Sequence, residues 1–316
     1  MAYHQIELHP DFRKLTAFIT PGGLFMYDRI PFGLASAAAV FQKLMQDIIG
    51  DVKNTLCYQD DVLVYGRDKQ EHDGVLEEVL NRLERSGLTI KPEKCTFGVA
   101  SVEYLGHQLS RDGSKPKVSI VDAIVNAPYP TSKDELRSFL GLAEYLSKYV
   151  KNFSSVCCIL REIMKKNKKF EWSTECELAF KKIKNDISSA PTLVSFDPQW
   201  KTILYTDASM KGLGATLSQM CEGEERIVAF ASRSLSSSEK NYSVVEKEAL
   251  ACFWGVTHFK FFLWGLPFTI RTDHKPLTFM FSSKGSASST PRISRWRLGL
   301  ENLISKLNTF KVVRTP

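Results

Sequence analysis

Apolar positions recur along this chain with two periods, and the period changes mark the elements. From Gln5 to Phe25 short apolar pieces alternate with polar ones and meet Pro21-Gly22-Gly23, which predicts a strand pair with a turn. Pro31-Phe32-Gly33-Leu34 then leads into Val40, Phe41, Leu44, Met45 and Ile48, the spacing of one helical face. Two apolar strands, Leu56-Cys57-Tyr58 and Val62-Leu63-Val64-Tyr65-Gly66, flank an acidic tip at Gln59-Asp60-Asp61. The stretch Glu71 to Ser86 carries Val75, Leu76, Val79, Leu80 and Leu83 on one stripe and ends at Gly87, so it predicts an amphipathic helix.

Beyond Tyr104-Leu105-Gly106-His107 the pattern is helical from Ser119 to Asp186, and basic around Lys165, Lys166, Lys168 and Lys169. Charge alone leaves that run open between a solvated loop and a nucleic-acid contact. Strands are predicted at 202–207, 212–217, 227–230 and 268–273, so a domain boundary falls near Phe196. Ser243 and Glu246 have capping-box spacing and open a helix expected to reach about Trp264. Ser282 to Thr290 predicts a flexible surface loop. The fold class is α+β, in more than one domain.

Composition narrows the picture. A length of 316 residues with 43% apolar and 24% charged residues suits two or three globular domains. A net charge of +7 is compatible with a polyanionic partner. No signal-peptide pattern and no apolar run of ~18 residues is present, so neither secretion nor a membrane partner is expected. Seven scattered cysteines without C-x-x-C spacing read as reduced thiols of a cytoplasmic or nuclear protein.

Acids at strand ends are the candidate chemistry. Adjacent carboxylates at Asp60 and Asp61 repel by ~4 kcal/mol at 4 Å in a partly screened site, which either solvent or divalent cations must offset. Asp207 and Asp273 each end an apolar strand, where a side chain faces the crevice in which ligands bind, although either could instead cap a helix. Glu248 lies among Val245, Ala249, Cys252, Phe253 and Val256 and is costly to bury alone, so a salt bridge or a shared metal site is expected. Arg292, Arg295 and Trp296 are further candidates for stacking on bases, and none of the histidines has metal-ligand spacing.

The order of Ala2-Tyr3-His4-Gln5-Ile6, Asp11 to Phe18, Pro31 to Leu34, Phe41-Gln42, Tyr58-Gln59-Asp60-Asp61, Tyr104 to His107 and Leu136 to Leu142 resembles the reverse transcriptase of gypsy-type LTR retrotransposons. Thr206-Asp207-Ala208-Ser209, Gly212 to Ala215, Glu246 to Ala251 and Thr272 to Leu277 resemble the ribonuclease H domain that follows it. The resemblance implies a palm with partial fingers over 1–112, a helical thumb or connection over 113–195 and a ribonuclease H-like domain over 196–316. It implies that Asp60 and Asp61 hold metal in the palm, and that Asp207, Glu248 and Asp273 do so in the second site. Tyr3, Arg13, Lys14, Tyr58 and Gln59 would then meet the nucleotide, and Tyr104, Leu105, Gly106 and His107 the primer end.

The implied cofactor is Mg²⁺, with Mn²⁺ as a substitute. The implied partners are an RNA template, a DNA primer, RNA–DNA hybrid and deoxynucleoside triphosphates, in a virus-like particle or the nucleus. The family's remaining palm and ribonuclease H carboxylates fall outside this sequence, which is expected to be cut at both ends. That expectation keeps a non-catalytic nucleic-acid-binding protein as the rival reading, beside a general two-metal phosphoesterase.

Overall fold

The structure, a computed structural model, describes residues 2–274, 277, 290–304 and 310–314. The expected loop from Ser282 lies outside these residues up to Thr290. Two compact units are formed, Met1–Leu105 and Gly106–Pro316.

In the first unit the strand pair is shorter than the pattern suggests. β1 (Phe18–Thr20) and β2 (Gly23–Phe25) pair antiparallel and Glu7 bridges Arg29, while residues 3–5 and 10–16 form short helical turns including α1 (Pro10–Arg13). Pro10 occupies the first helical turn and the His9 side chain accepts from the Asp11 N–H, so local capping overrides the alternation. Helix α2 (Ala37–Ile49) buries Ala37, Phe41, Met45 and Ile49, a strict four-residue repeat. Helix α3 (Lys69–Arg85), capped by Asp68, adds Val79 and Leu83 to the same core. Between them β3 (Thr55–Tyr58) and β4 (Asp61–Val64) make the acidic hairpin, and β5 (Ser101–Tyr104) closes the unit's sequence.

The second unit begins with the ribbon β6 (His107–Ser110) and β7 (Gly113–Pro116), followed by α4 (Val118–Val125), α5 (Lys133–Tyr145), α6 (Phe153–Ile163) and α7 (Thr174–Ser188). These helices share a core that includes Leu136, Leu146, Tyr149, Phe153, Phe180 and Ile183. The mixed sheet then runs β10-β9-β8-β11-β12, with β8 (Thr202–Ala208), β9 (Gly212–Cys221), β10 (Glu224–Ser234), β11 (Phe268–Thr272) and β12 (Phe310–Arg314). β11 is parallel to both β8 and β12, and the other pairs are antiparallel.

Helices and sheet of this unit meet directly. Ser154 on α6 donates through its N–H and its hydroxyl to Ser232 on β10, at 2.8 and 2.9 Å. At Gly214 any Cβ would collide with the Asn152 side-chain oxygen, which explains a glycine inside a strand. Helix α8 (Val244–His258) starts at the expected capping box of Ser243 and Glu246. It ends at His258 because Phe259, although its N–H still bonds the Gly255 carbonyl, turns out of the helical path at φ −92° and ψ 17°; a short turn α9 (Lys260–Leu263) follows, so the helix does not run unbroken to Trp264. Helix α10 (Pro291–Ile304) packs Ile293 and Leu300 into the same core.

Candidate active sites

The acidic hairpin is built around one left-handed residue. Tyr58 pairs with Asp61, and Gln59 sits at φ 54°, a tight turn that pushes Asp60 and Asp61 into solvent. Strain at Gln59 is offset by Gln42, whose side-chain Oε1 accepts the Gln59 N–H at 2.6 Å while its Nε2 donates to the Cys57 carbonyl at 3.2 Å. Gln42 follows Phe41, which is anchored in the core, so the helix fixes the turn. The Tyr104 hydroxyl reaches the Asp61 carbonyl at 3.5 Å. Burial, then Asp60 and Asp61, push the Cys57 thiol up; burial, then Cys57 and Asp61, do the same to the Tyr104 phenol.

The other nucleotide and primer candidates are distributed around this turn's unit and the start of the next. Tyr3 packs edge-on against Phe32 and Phe41, at 5.6 and 5.9 Å between ring centres. Arg13 is engaged, donating to the Leu8 carbonyl and to Asp28, both at 3.0 Å, whereas Lys14 and Tyr58 are exposed. Leu105 and Gly106 take successive positive φ values of 44° and 69°. His107 stacks in parallel on Tyr145 at 5.2 Å, and its Nδ1 meets the Tyr149 hydroxyl at 3.1 Å. Burial, and then Lys148, lower its pKa to about 4, so the ring is neutral. The supporting roles of Gln42, Tyr145 and Tyr149 emerge only in the fold. The signal in the sequence was a glutamine directly after the core position Phe41; the two tyrosines carry none.

The second constellation comes from strand register and helix packing. Arg271 on β11 pairs with Tyr205 on parallel β8, so two residues further Asp273 comes level with Asp207. On α8, Glu248, Cys252 and Gly255 fall on one stripe. Cys252 Sγ lies 3.2 Å from Thr206 Oγ1, and Gly255 brings the helix so close that a Cβ would stand 3.1 Å from Thr206 Cγ2. That contact lays Glu248 against the end of β8, where its Oε1 accepts the Ala208 N–H at 3.3 Å. Glu248 is only 5% exposed, and its Oε2 is buried without a partner. Burial first, then Asp273 and Asp207, raise its pKa to about 7. Among the described residues Glu248 forms no ion pair, so the salt-bridge alternative is not realised there.

Among the described residues no three His, Cys, Asp or Glu side chains are arranged as a ready-made ion cage. The donor set at Glu248 nonetheless fits a hard divalent cation: three carboxylates meet electrostatically, and one buried oxygen lacks any partner. Glu246, two residues earlier on α8, is structural. It caps the helix and binds Arg292 at 3.1 Å, and Arg292 lies 4.4 Å over the Tyr242 ring. Trp296 packs on the core beside Tyr242. Of the base-stacking candidates, Trp296 is partly buried on the core, while Arg292 and Arg295 stay exposed.

Two family models match the chain: reverse transcriptase (RNA-dependent DNA polymerase) over residues 1–109, and the RNase H-like domain found in reverse transcriptase over 197–303. The retrovirus-related Pol polyprotein from transposon 412 of Drosophila melanogaster is 35% identical over 302 residues, which cover 95% of this chain and 24% of that protein. This chain belongs to the reverse transcriptase and RNase H-like region of retrotransposon Pol polyproteins.

Similarity within that family reaches from fly to fission yeast. The Pol polyprotein from Drosophila transposon 297 is 36% identical over 98% of the chain, and the Tf2-3 polyprotein of Schizosaccharomyces pombe 32% over 97%. The chain spans about a quarter of the length of these Pol polyproteins, 29% and 23%. The fold of this Pol region is shared with a foamy viral protease-reverse transcriptase solved with an RNA/DNA hybrid. TM-score is 0.82 at 21% identity, over 100% of this chain and 43% of that one. A second foamy viral structure, with double-stranded DNA, gives a TM-score of 0.85 at 21% identity over 98% and 55%.

Proposed function

We propose that this region carries out RNA-directed DNA synthesis at the Asp60-Asp61 hairpin and hydrolysis of the RNA strand of RNA–DNA hybrids at Asp207, Glu248 and Asp273. The carrying observation is the orphaned, buried Oε2 of Glu248 in a carboxylate that also feels Asp273 and Asp207, an arrangement whose ionised form costs free energy until a cation completes it. Mg²⁺, or Mn²⁺ in its place, would supply activation of the attacking hydroxyl or water and stabilisation of the leaving oxygen.

The chain's own groups then have defined tasks. Asp207 and Asp273 present carboxylates from two parallel strand ends, and the Ala208 N–H holds Glu248 oriented between them. In the polymerase half, Gln42 fixes the turn so that Asp60 and Asp61 project together, and Tyr58 and Gln59 face the incoming deoxynucleoside triphosphate. Tyr3 supports the sugar side through its packing on Phe32 and Phe41, and Lys14 is free to meet phosphate. Arg13 shapes the loop beside it by holding Asp28. The turn Tyr104 to His107 holds the primer end, with His107 as a neutral, stacked support.

Primer extension and hybrid cleavage, assayed separately with Asp60→Asn and Glu248→Gln, test this division. The first variant should lose extension and keep cleavage, and the second the reverse. Tight binding of hybrid with neither activity in the parent chain would instead favour a nucleic-acid-binding role.

A further inference from the structure

Lys247, the fourth residue of α8, is a lysine that the fold hides. It is only 4% exposed, between Glu246 and Glu248 in sequence. Among the described residues its ammonium has one side-chain contact, the thioether sulfur of Met210 at 3.8 Å. The neighbouring acids are engaged elsewhere. Glu246 accepts from Ser243 and Arg292 at 3.0 and 3.1 Å, and the groups acting on Glu248 are Asp273, Asp207 and the Ala208 N–H. An ammonium carries three donors and a thioether is a weak acceptor, so among the described residues this buried charge is under-satisfied.

Met210 meets it from the opposite condition. It is 70% exposed, in the turn between β8 and β9, three residues beyond Asp207. Ser209 closes that turn on itself: its N–H donates to the Gly212 carbonyl at 2.9 Å, and its hydroxyl oxygen accepts from the N–H groups of Lys211 and Gly212 at 3.2 and 2.9 Å. The methionine is thus held on a fixed turn, open to water and against a cation. An oxygen added to the sulfur on its Nζ side would stand one bond nearer, which brings the 3.8 Å contact into hydrogen-bonding range with a strong acceptor.

We propose that Met210 is a methionine-oxidation site that takes a hydroperoxide as oxidant, with Lys247 directing and then holding the added oxygen. In that step the sulfur lone pair forms an S–O bond while the peroxide O–O bond breaks. Sulfur gives up two electrons, and the departing oxygen receives them with the proton of the transferred hydroxyl, so hydrogen peroxide yields the sulfoxide and one water. A sulfoxide disrupts packing where its surroundings are apolar. Here it supplies the acceptor that Lys247 lacks, so the modified turn is the tighter one. The site borders the acids proposed for hydrolysis and does not depend on that reading.

The test is peptide mapping by mass spectrometry after exposure to dilute hydrogen peroxide, with Met26, 56% exposed, as the internal reference. Met210 should be oxidised at least ~5-fold faster than Met26, a factor within reach of one hydrogen bond from a charged donor, and Lys247→Leu should bring the two within ~2-fold. Thermal melts in EDTA give a second reading. Met210→Gln puts an amide oxygen where the sulfur stood and should melt ~2–4 °C above Met210→Leu, while in the Lys247→Leu background the two should coincide. Equal oxidation of Met210 and Met26 in the parent, unchanged selectivity in Lys247→Leu, or Met210→Gln melting at or below Met210→Leu overturns the assignment. The comparisons in the parent chain decide it even where Lys247→Leu does not fold.

Discussion

Glu248 and Ala208 are joined by a hydrogen bond of 3.3 Å from the strand's backbone N–H to the helix's carboxylate. Through it the end of β8 fixes one oxygen of Glu248 and leaves the other buried and unsatisfied.

The first prediction follows from that imbalance. Glu248→Gln should abolish hybrid cleavage, by at least ~10²-fold, yet stabilise the metal-free protein at pH 8. The folded pKa, about 7, lies above the ordinary 4.5. Its stabilising share is thus complete below 4.5 and is lost as pH rises through 7, an effect of at most ~3 kcal/mol at ~1.4 kcal/mol per pKa unit. Thermal melts in EDTA should show the variant ahead at pH 8 and level near pH 4.5. Equal melting temperatures at both would refute the cost assigned to Glu248. Added Mg²⁺ should raise the parent's melting temperature more than the variant's.

Removing the Gln42 clamp gives the second. Gln42→Ala frees the Gln59 N–H and the Cys57 carbonyl, a loss of ~1–2 kcal/mol, and lets a strained turn relax. Primer extension should fall at least ~10-fold through kcat, while hybrid cleavage stays at the parent rate. A parallel loss of both activities would mean that the variant simply unfolds.

His107 provides a pH signature. Its pKa is depressed from 6.5 to about 4 by burial and Lys148, so its stabilising share is present above 6.5 and disappears as pH falls through 4. After allowance for partial exposure this is ~1–2 kcal/mol. His107→Gln should flatten the stability profile between those values, and the ring's NMR signals should not titrate above pH 5. A ring titrating near 6.5 contradicts the buried stack on Tyr145.

Gly214→Ala tests the joint between helices and sheet. The new methyl meets the tip of the Asn152 side chain, which can swing aside, so the cost sits at the low end of overpacking, ~1 kcal/mol. Chemical denaturation should show that loss, and Asn152→Ala in the same chain should recover part of it. A neutral Gly214→Ala would show that α6 can shift away from β9.

Much of this protein is set locally. The capping box at Ser243, the four-residue repeat from Ala37 to Ile49 and the apolar run through Thr202–Ala208 are written in neighbours a few positions apart, so they are legible from sequence. Ordered motifs also single out Asp60, Asp61, Asp207, Glu248 and Asp273 as candidates, and the fold brings the fields of Asp207 and Asp273 onto Glu248. Local signals compete in residues 3–16, where His9 and Pro10 made helical turns out of an alternating pattern.

What tertiary structure alone decided is which distant groups meet. The parallel register that levels Asp273 with Asp207, the turn held by Gln42 and the field of Lys240 on Glu162 join residues 17 to 78 positions apart. Arg292, a base-stacking candidate in the sequence, also reaches Glu246 and Tyr242, which lie 46 and 50 positions before it. Periodicity reports on contacts within a turn or a pleat, whereas these pairings depend on how buried faces stack once loops close, and only the folded chain fixes that.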